Sequence, residues 1–194
     1  MKFTKDLAAV HGYLCGDGYV VKNPPHQKKK YYRIGLRNKS SILLNDFQRK
    51  CEAVFNRRPH ITTERCEVHS KEIYYYLTKE FSYYSYEWKL PSLPKENLKA
   101  WLRAFFDCEG WVENQAGKSR LIGLECCNHQ GIFQIQASLE TCGLHSQITK
   151  RKGRTIWRLT ICGKEQLERF QQTIGFLHPD KQQKLQEAIT SYRV

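Results

Sequence analysis

The chain has 194 residues, 40% hydrophobic and 12% aromatic, enough for one large domain or two small ones with packed cores and too apolar for a disordered protein. Lys and Arg outnumber Asp and Glu 32 to 19, a formal net charge of +13, which points to an anionic partner and to nucleic acid first. No apolar run approaches about 18 residues, so no membrane-spanning helix is expected, and the opening Met1-Lys2-Phe3-Thr4-Lys5-Asp6 leads into an amphipathic helix with no secretory signal.

In chain order, residues 5–16 read as a helix with an apolar, small-residue face. A strand starts at Tyr19-Val20-Val21, Asn23-Pro24-Pro25-His26 breaks it, and Lys28, Lys29 and Lys30 form a basic loop. Residues 31–37 alternate: Tyr32, Ile34 and Leu36 lie on one face, Tyr31, Arg33 and Arg37 on the other, as in a half-buried strand. Ser40 or Ser41 caps a helix with apolar positions Leu43, Leu44, Phe47, Cys51, Val54 and Phe55. After the turn at Pro59 come a hairpin over 60–69 and a helix over 71–81. Residues 83–97 are irregular and turn-rich, with Lys95-Glu96 starting the next helix.

The order then repeats. Trp111-Val112-Glu113 starts a strand, 115–118 turn, 121–127 form a strand, and 129–142 form a helix ended by Gly143. Residues 145–152 and 154–162 make a hairpin around Gly153, and 164–174 a helix stopped at Gly175. Pro179 opens a last helix with Leu185, Ala188 and Ile189 on its buried face. The expected organisation is a first half over 1–82, a linker over 83–97 and a second half over 98–194, each half running helix, two strands, helix, two strands, helix.

Each repeat opens with small residues four apart: Ala8, Gly12 and Gly16 in one, Ala100, Ala104 and Cys108 in the other. Such stripes let two helix backbones approach closely. Each stripe ends in an acid followed by glycine, Asp17-Gly18 and Glu109-Gly110. Acids at a helix C-terminus oppose the helix dipole, so two at equivalent points of a repeat are poor stability devices. Held together, Asp17 and Glu109 suit a divalent cation, with backbone carbonyls of Gly16 and Cys108 as further donors.

The eight cysteines lack paired Cys-x-x-Cys spacing, and the adjacent Cys126-Cys127 with His129 make a poor zinc set. They read as reduced, mostly buried residues of an intracellular protein, cytoplasmic or organellar. His11, His60, His69 and His145 read as packing or surface residues, and the tyrosines of 74–76 and 83–86 as core and linker packing. Strand alternation assigns Arg33 and Arg37, with the Lys28–Lys30 loop, to one nucleic-acid face. It assigns Lys150, Lys152, Arg154 and Arg158, the last beside Ile156 and Thr160, to another, with Trp157, Leu159 and Ile161 inward.

VHGYLCGDG over 10–18 and LRAFFDCEG over 102–110 resemble, position by position, the paired signature of the LAGLIDADG homing endonucleases. The chain is similar in order and size to the single-chain, two-motif form, and Ile174-Gly175-Phe176 with Lys181 resembles the ending of these domains. The resemblance implies an α+β fold of two αββαββα halves about a pseudo-twofold axis, with motif helices on the axis. Two four-stranded antiparallel sheets then form a DNA-binding saddle. It implies a monomer that cuts both strands of a long, near-asymmetric duplex with Mg²⁺ or another divalent cation such as Mn²⁺. Asp17 and Glu109 match the metal-holding acids, Gly12 and Ala104 the helix contact, and Gly16 and Cys108 the positions before the acids. Where one relative type carries a lysine, three residues past the second acid, this chain has Val112; Arg33, Lys118 and Arg120 are the candidate basic helpers. The alternative is a maturase that binds its host intron RNA. A regulator on a decayed nuclease scaffold would have lost the acids, and a stand-alone protein is expected rather than the core of a protein-splicing element.

Overall fold

The computed structural model describes residues 1–115, 119–150, 153 and 155–192. The first half runs α1 (Lys5–Cys15), β1 (Gly18–Lys22), β2 (Tyr32–Arg37), α2 (Ser41–Phe55), β3 (His60–Ile61), β4 (Arg65–His69) and α3 (Lys71–Thr78). The second runs α4 (Lys95–Glu109), β5 (Gly110–Gln115), β6 (Ser119–Cys126), α5 (His129–Thr141), β7 (Gln147–Lys150), β8 (Trp157–Cys162) and α6 (Lys164–Thr173), followed by α7 (Pro179–Thr190). Each half is therefore αββαββα, as the repeat implied.

The sheets share one topology, β1-β2-β4-β3 and β5-β6-β8-β7, and every pairing is antiparallel. The registers correspond rung by rung. Tyr19 faces Gly35 as Trp111 faces Gly123, and Arg37 faces Arg65 as Glu125 faces Arg158. Alternate residues of each sheet turn towards the helices and are buried: Val20, Ile34, Leu36 and Cys66 in one, Val112, Ile122, Leu124, Leu159 and Ile161 in the other.

Short side chains start several helices. Thr4 Oγ1 accepts from the Leu7 amide at 3.2 Å, Ser70 Oγ from Ile73 at 3.2 Å, and Asn128 Oδ1 from Gly131 at 2.9 Å. Ser40 precedes α2 without a side-chain cap bond; its own amide donates to Asn38 Oδ1 at 2.8 Å.

Helices α1 and α4 cross where the small residues lie. A Cβ on Gly12 would sit 2.5 Å from the Trp101 carbonyl oxygen, and one on Gly16 2.6 Å from Cys108 Cβ. Ala8 and Cys15 pack into the second-half core and Ala104 into the first. The motif helices thus belong to both cores.

Two spans depart from the periodicity. The helix expected over 71–81 stops at Thr78, because Phe81 leaves the helical path to pack edge-on against His11, with ring centroids 4.7 Å apart. The segment 83–94 is more than a tether. Trp88 is 2% exposed, lies against Phe105 at 5.0 Å, and its carbonyl accepts from Asn128 Nδ2 at 2.6 Å.

Candidate nuclease site

The acids emerge at one end of the α1–α4 seam. Asp17 follows the cap residue Gly16 of α1, and Glu109 is the last residue of α4. A Cβ at Gly16 would lie 3.7 Å from Glu109 Cγ, and Gly16 and Glu109 line one cavity. Asp17 is held by β2 and its sequel: its carbonyl accepts from the Arg37 amide at 3.2 Å, and its Oδ2 from Asn38 Nδ2 at 2.8 Å. Burial, then the nearby Asp17 charge, pushes the Glu109 carboxyl up to about 7. Two acids crowded at helix C-termini favour a cation, since the negative ends of both helix dipoles point the same way.

The donor set is small. Among the described residues no cluster of three or more His, Cys, Asp and Glu side chains could hold a metal ion. Two carboxylates and backbone oxygens fit a hard cation that keeps water and phosphate in its remaining positions, and do not fit a zinc cage. The Cys108 carbonyl, expected as a donor, accepts from Lys181 Nζ at 3.3 Å, which leaves its second lone pair. Gly16 stays at the seam with its amide bonded to the Gly12 carbonyl at 3.2 Å. The Cys108 thiol fills the helix contact, with burial pushing its pKa up so that it stays protonated.

Lys181 brings a positive charge to this end, close enough to act on Glu109. Its ammonium donates to the carbonyls of Phe106 at 3.3 Å, Asp107 at 2.5 Å and Cys108 at 3.3 Å, satisfying the open end of α4. Asp107 steers it there. Its buried carboxylate accepts from the amides of Leu177 and His178, both at 3.0 Å, and so anchors the start of α7. Burial pushes the Asp107 carboxyl up to about 6, against these bonds, which favour the charge. An aspartate in the signature was the only sequence cue; its partners lie some 70 residues downstream.

The open faces of the sheets flank the acids. On the first, Arg33 and Arg37 stand with Tyr19, Arg65, Glu67 and His69, opposite the buried set. Arg33 is exposed, and Arg37 lies 3.9 Å from Glu64. Lys28, Lys29 and Lys30 are exposed in the β1–β2 loop, where Lys30 Nζ donates to the Pro25 carbonyl at 2.6 Å. The alternation of 65–69 carries the signal that puts Arg65, Glu67 and His69 on this face. On the second face Arg158 stands with Trp111, Glu125 and Thr160, as the alternation predicts.

Two assignments need correction. Arg120 shares the parity of Ile122 and Leu124, so it faces the helices; its guanidinium donates to Ser191 Oγ at 2.6 Å and its carbonyl at 3.1 Å and stacks on Tyr192. Lys150 pairs with Trp157 on that same side, its ammonium 5.4 Å from the indole centre. Both stand at strand ends, where a long cationic side chain can turn to either side, and here they share the side of Ile122, Leu124 and Ile148. Lys118, Lys152 and Arg154 lie outside the described residues.

Comparison with known proteins agrees with this layout. Residues 96–175 match a family model described as a LAGLIDADG-like domain. The chain is 34% identical over 94 residues to a replication factor C small subunit of Thermococcus kodakarensis, covering 47% of this chain and 10% of that protein. It is 22% identical over 214 residues to an isomerizing glutamine–fructose-6-phosphate aminotransferase of Methanocaldococcus jannaschii, covering 98% of this chain and 18% of that one. The match thus spans only a tenth to a fifth of these relatives. Among solved structures, the chain resembles I-DmoI in complex with DNA and Ca, at a TM-score of 0.70 and 17% identity, over 94% of this chain and 97% of that one. The same enzyme with DNA and Mn superposes at a TM-score of 0.66 and 19% identity, over 88% and 96%.

Proposed function

We propose that the chain is a single-chain, two-motif member of the LAGLIDADG family and a metal-dependent DNA endonuclease that cuts both strands of a long, near-asymmetric duplex site. The observation that carries this reading is the convergence of Asp17 and Glu109, from two different helices, between two open sheet faces that bear arginines. Asp17 and Glu109 would hold the cation, Mg²⁺ or Mn²⁺. When bound, such an ion lowers the pKa of a water and neutralises phosphate charge.

The remaining work falls to the chain itself. Asn38 orients the Asp17 carboxylate through its 2.8 Å bond. Lys181 fixes the end of α4 and so the position of Glu109. Arg33, Arg37 and the Lys28–Lys30 loop supply cationic contacts to one half-site, and Arg158 to the other. One copy carries both acids, so a monomer suffices. All eight cysteines are free thiols, which suits a reducing, intracellular setting.

The curated relatives support mobility. A replication subunit and an aminotransferase share no task, yet each contains a segment similar to this chain, the pattern left by a sequence that inserts into unrelated hosts. The solved relatives named above are DNA complexes and give the maturase alternative no support.

Asp17→Asn and Glu109→Gln should each lower cleavage of a selected duplex by about 100-fold or more, with affinity little changed. Cleavage by gel assay and binding by anisotropy, measured on the same duplex, separate the two effects. A variant that cuts at the wild-type rate removes its acid from the site.

A further inference from the structure

Next to the acids, the open faces of the two sheets share one plan. In each, the residue two places past the acid is aromatic and lies flat over a glycine of the next strand. A Cβ on Gly35 would meet Tyr19 Cζ at 2.7 Å, and one on Gly123 would meet Trp111 Cζ2 at 2.5 Å. One rung further on, the plan breaks. The first half has Arg37 facing Arg65; the second has Glu125 facing Arg158. A carboxylate thus stands where the pseudo-symmetric position carries a guanidinium.

Glu125 is not a stray surface charge. Arg158 donates from Nε at 3.1 Å and from Nη2 at 2.9 Å to Glu125 Oε1, while its guanidinium lies 5.3 Å from the Trp111 ring centre. Both side chains are less than a third exposed. Glu125 also shares a cavity of about 230 Å³ with Glu109 and Gly16. An acid so placed repels phosphate and lowers non-specific affinity for a polyanion. Its chemistry suits a base edge instead: a carboxylate accepts from the cytosine amino group and is repelled by the acceptors of guanine and thymine. A stacked, bonded arginine is already ordered and suits the O6/N7 edge of guanine.

We propose that Glu125 and Arg158 together read one C·G base pair close to the cut, and that this rung, occupied by Arg37 and Arg65 in the other half, sets the orientation in which an asymmetric duplex is bound. The inference rests on the DNA endonuclease reading and deepens it.

The test is a binding selection from a randomised duplex library with the full chain, in chelator so that nothing is cut. Wild-type protein should favour C·G at one position by about tenfold or more. Glu125→Gln, which keeps the shape and loses the charge, should change the preference at that position alone. Glu125→Arg should select sites whose two halves match there. Glu125→Gln with the wild-type preference at every position, or with an equal change on all sequences, overturns the inference and leaves the endonuclease reading standing. Wild-type protein that retains no duplex at all overturns both.

Discussion

His11 sits in the first signature motif but carries none of its chemistry. It is fully buried, 4.7 Å from the Phe81 ring and 5.1 Å from Tyr83, and its Nδ1 accepts from Trp101 Nε1 at 3.0 Å. Burial depresses its pKa to about 3, so the folded protein holds it neutral. The unfolded chain binds a proton near pH 6.5, so this contribution is complete above that value and is lost as pH falls towards 3. The loss amounts to about 5 kcal/mol at most. Glu109 and Asp107 act with the opposite sign: their raised values make the folded state the better proton binder, so their contribution is present at low pH and fades as pH rises towards 7 and 6. A comparison of variants therefore isolates the histidine. His11→Gln keeps an acceptor for Trp101 without a titrating ring, and its urea-unfolding free energy should fall less between pH 7 and pH 4 than that of the wild type. Equal slopes would refute the assignment.

The motif helices are the elements on which both cores depend. Alanine is normally the better helix former, by about 1 kcal/mol over glycine. At Gly12 the sign should reverse, because a Cβ there meets the Trp101 carbonyl at 2.5 Å and backbone cannot step aside. Gly12→Ala should cost about 1–3 kcal/mol and lower the melting temperature by several degrees. A calorimetric scan showing equal or higher stability would mean that the helices are not in close contact. The small-residue spacing made this seam legible from sequence. The strands were legible too where both faces were patterned, as over 31–37 and 157–162. Arg120 and Lys150 were not, since a long cationic side chain at a strand end can turn to either side of a sheet. Their side was settled by Ser191, Tyr192 and Trp157, residues from other elements.

At the scale of the molecule, the net charge of +13 and the paired open sheets imply a polyanion bound along its length. Duplex affinity should fall by about 10³-fold or more between roughly 50 and 200 mM salt, the loss expected for about six or more phosphate contacts. Anisotropy titrations over that range check it, and an affinity indifferent to salt would exclude the cationic faces as the binding surface. The order of elements, the repeat, the seam and the place of the two acids at its end were determined by the sequence itself, because small-residue spacing, alternation and acid–glycine helix ends are local patterns. Only the tertiary structure decided that Trp88 completes the second-half core, that Asp107 anchors α7 so that Lys181 closes α4, and that Glu125 stands at the rung where Arg37 stands in the other half. Each of these depends on which distant side chains share a surface, and that is fixed when two halves of one chain pack about a common pair of helices.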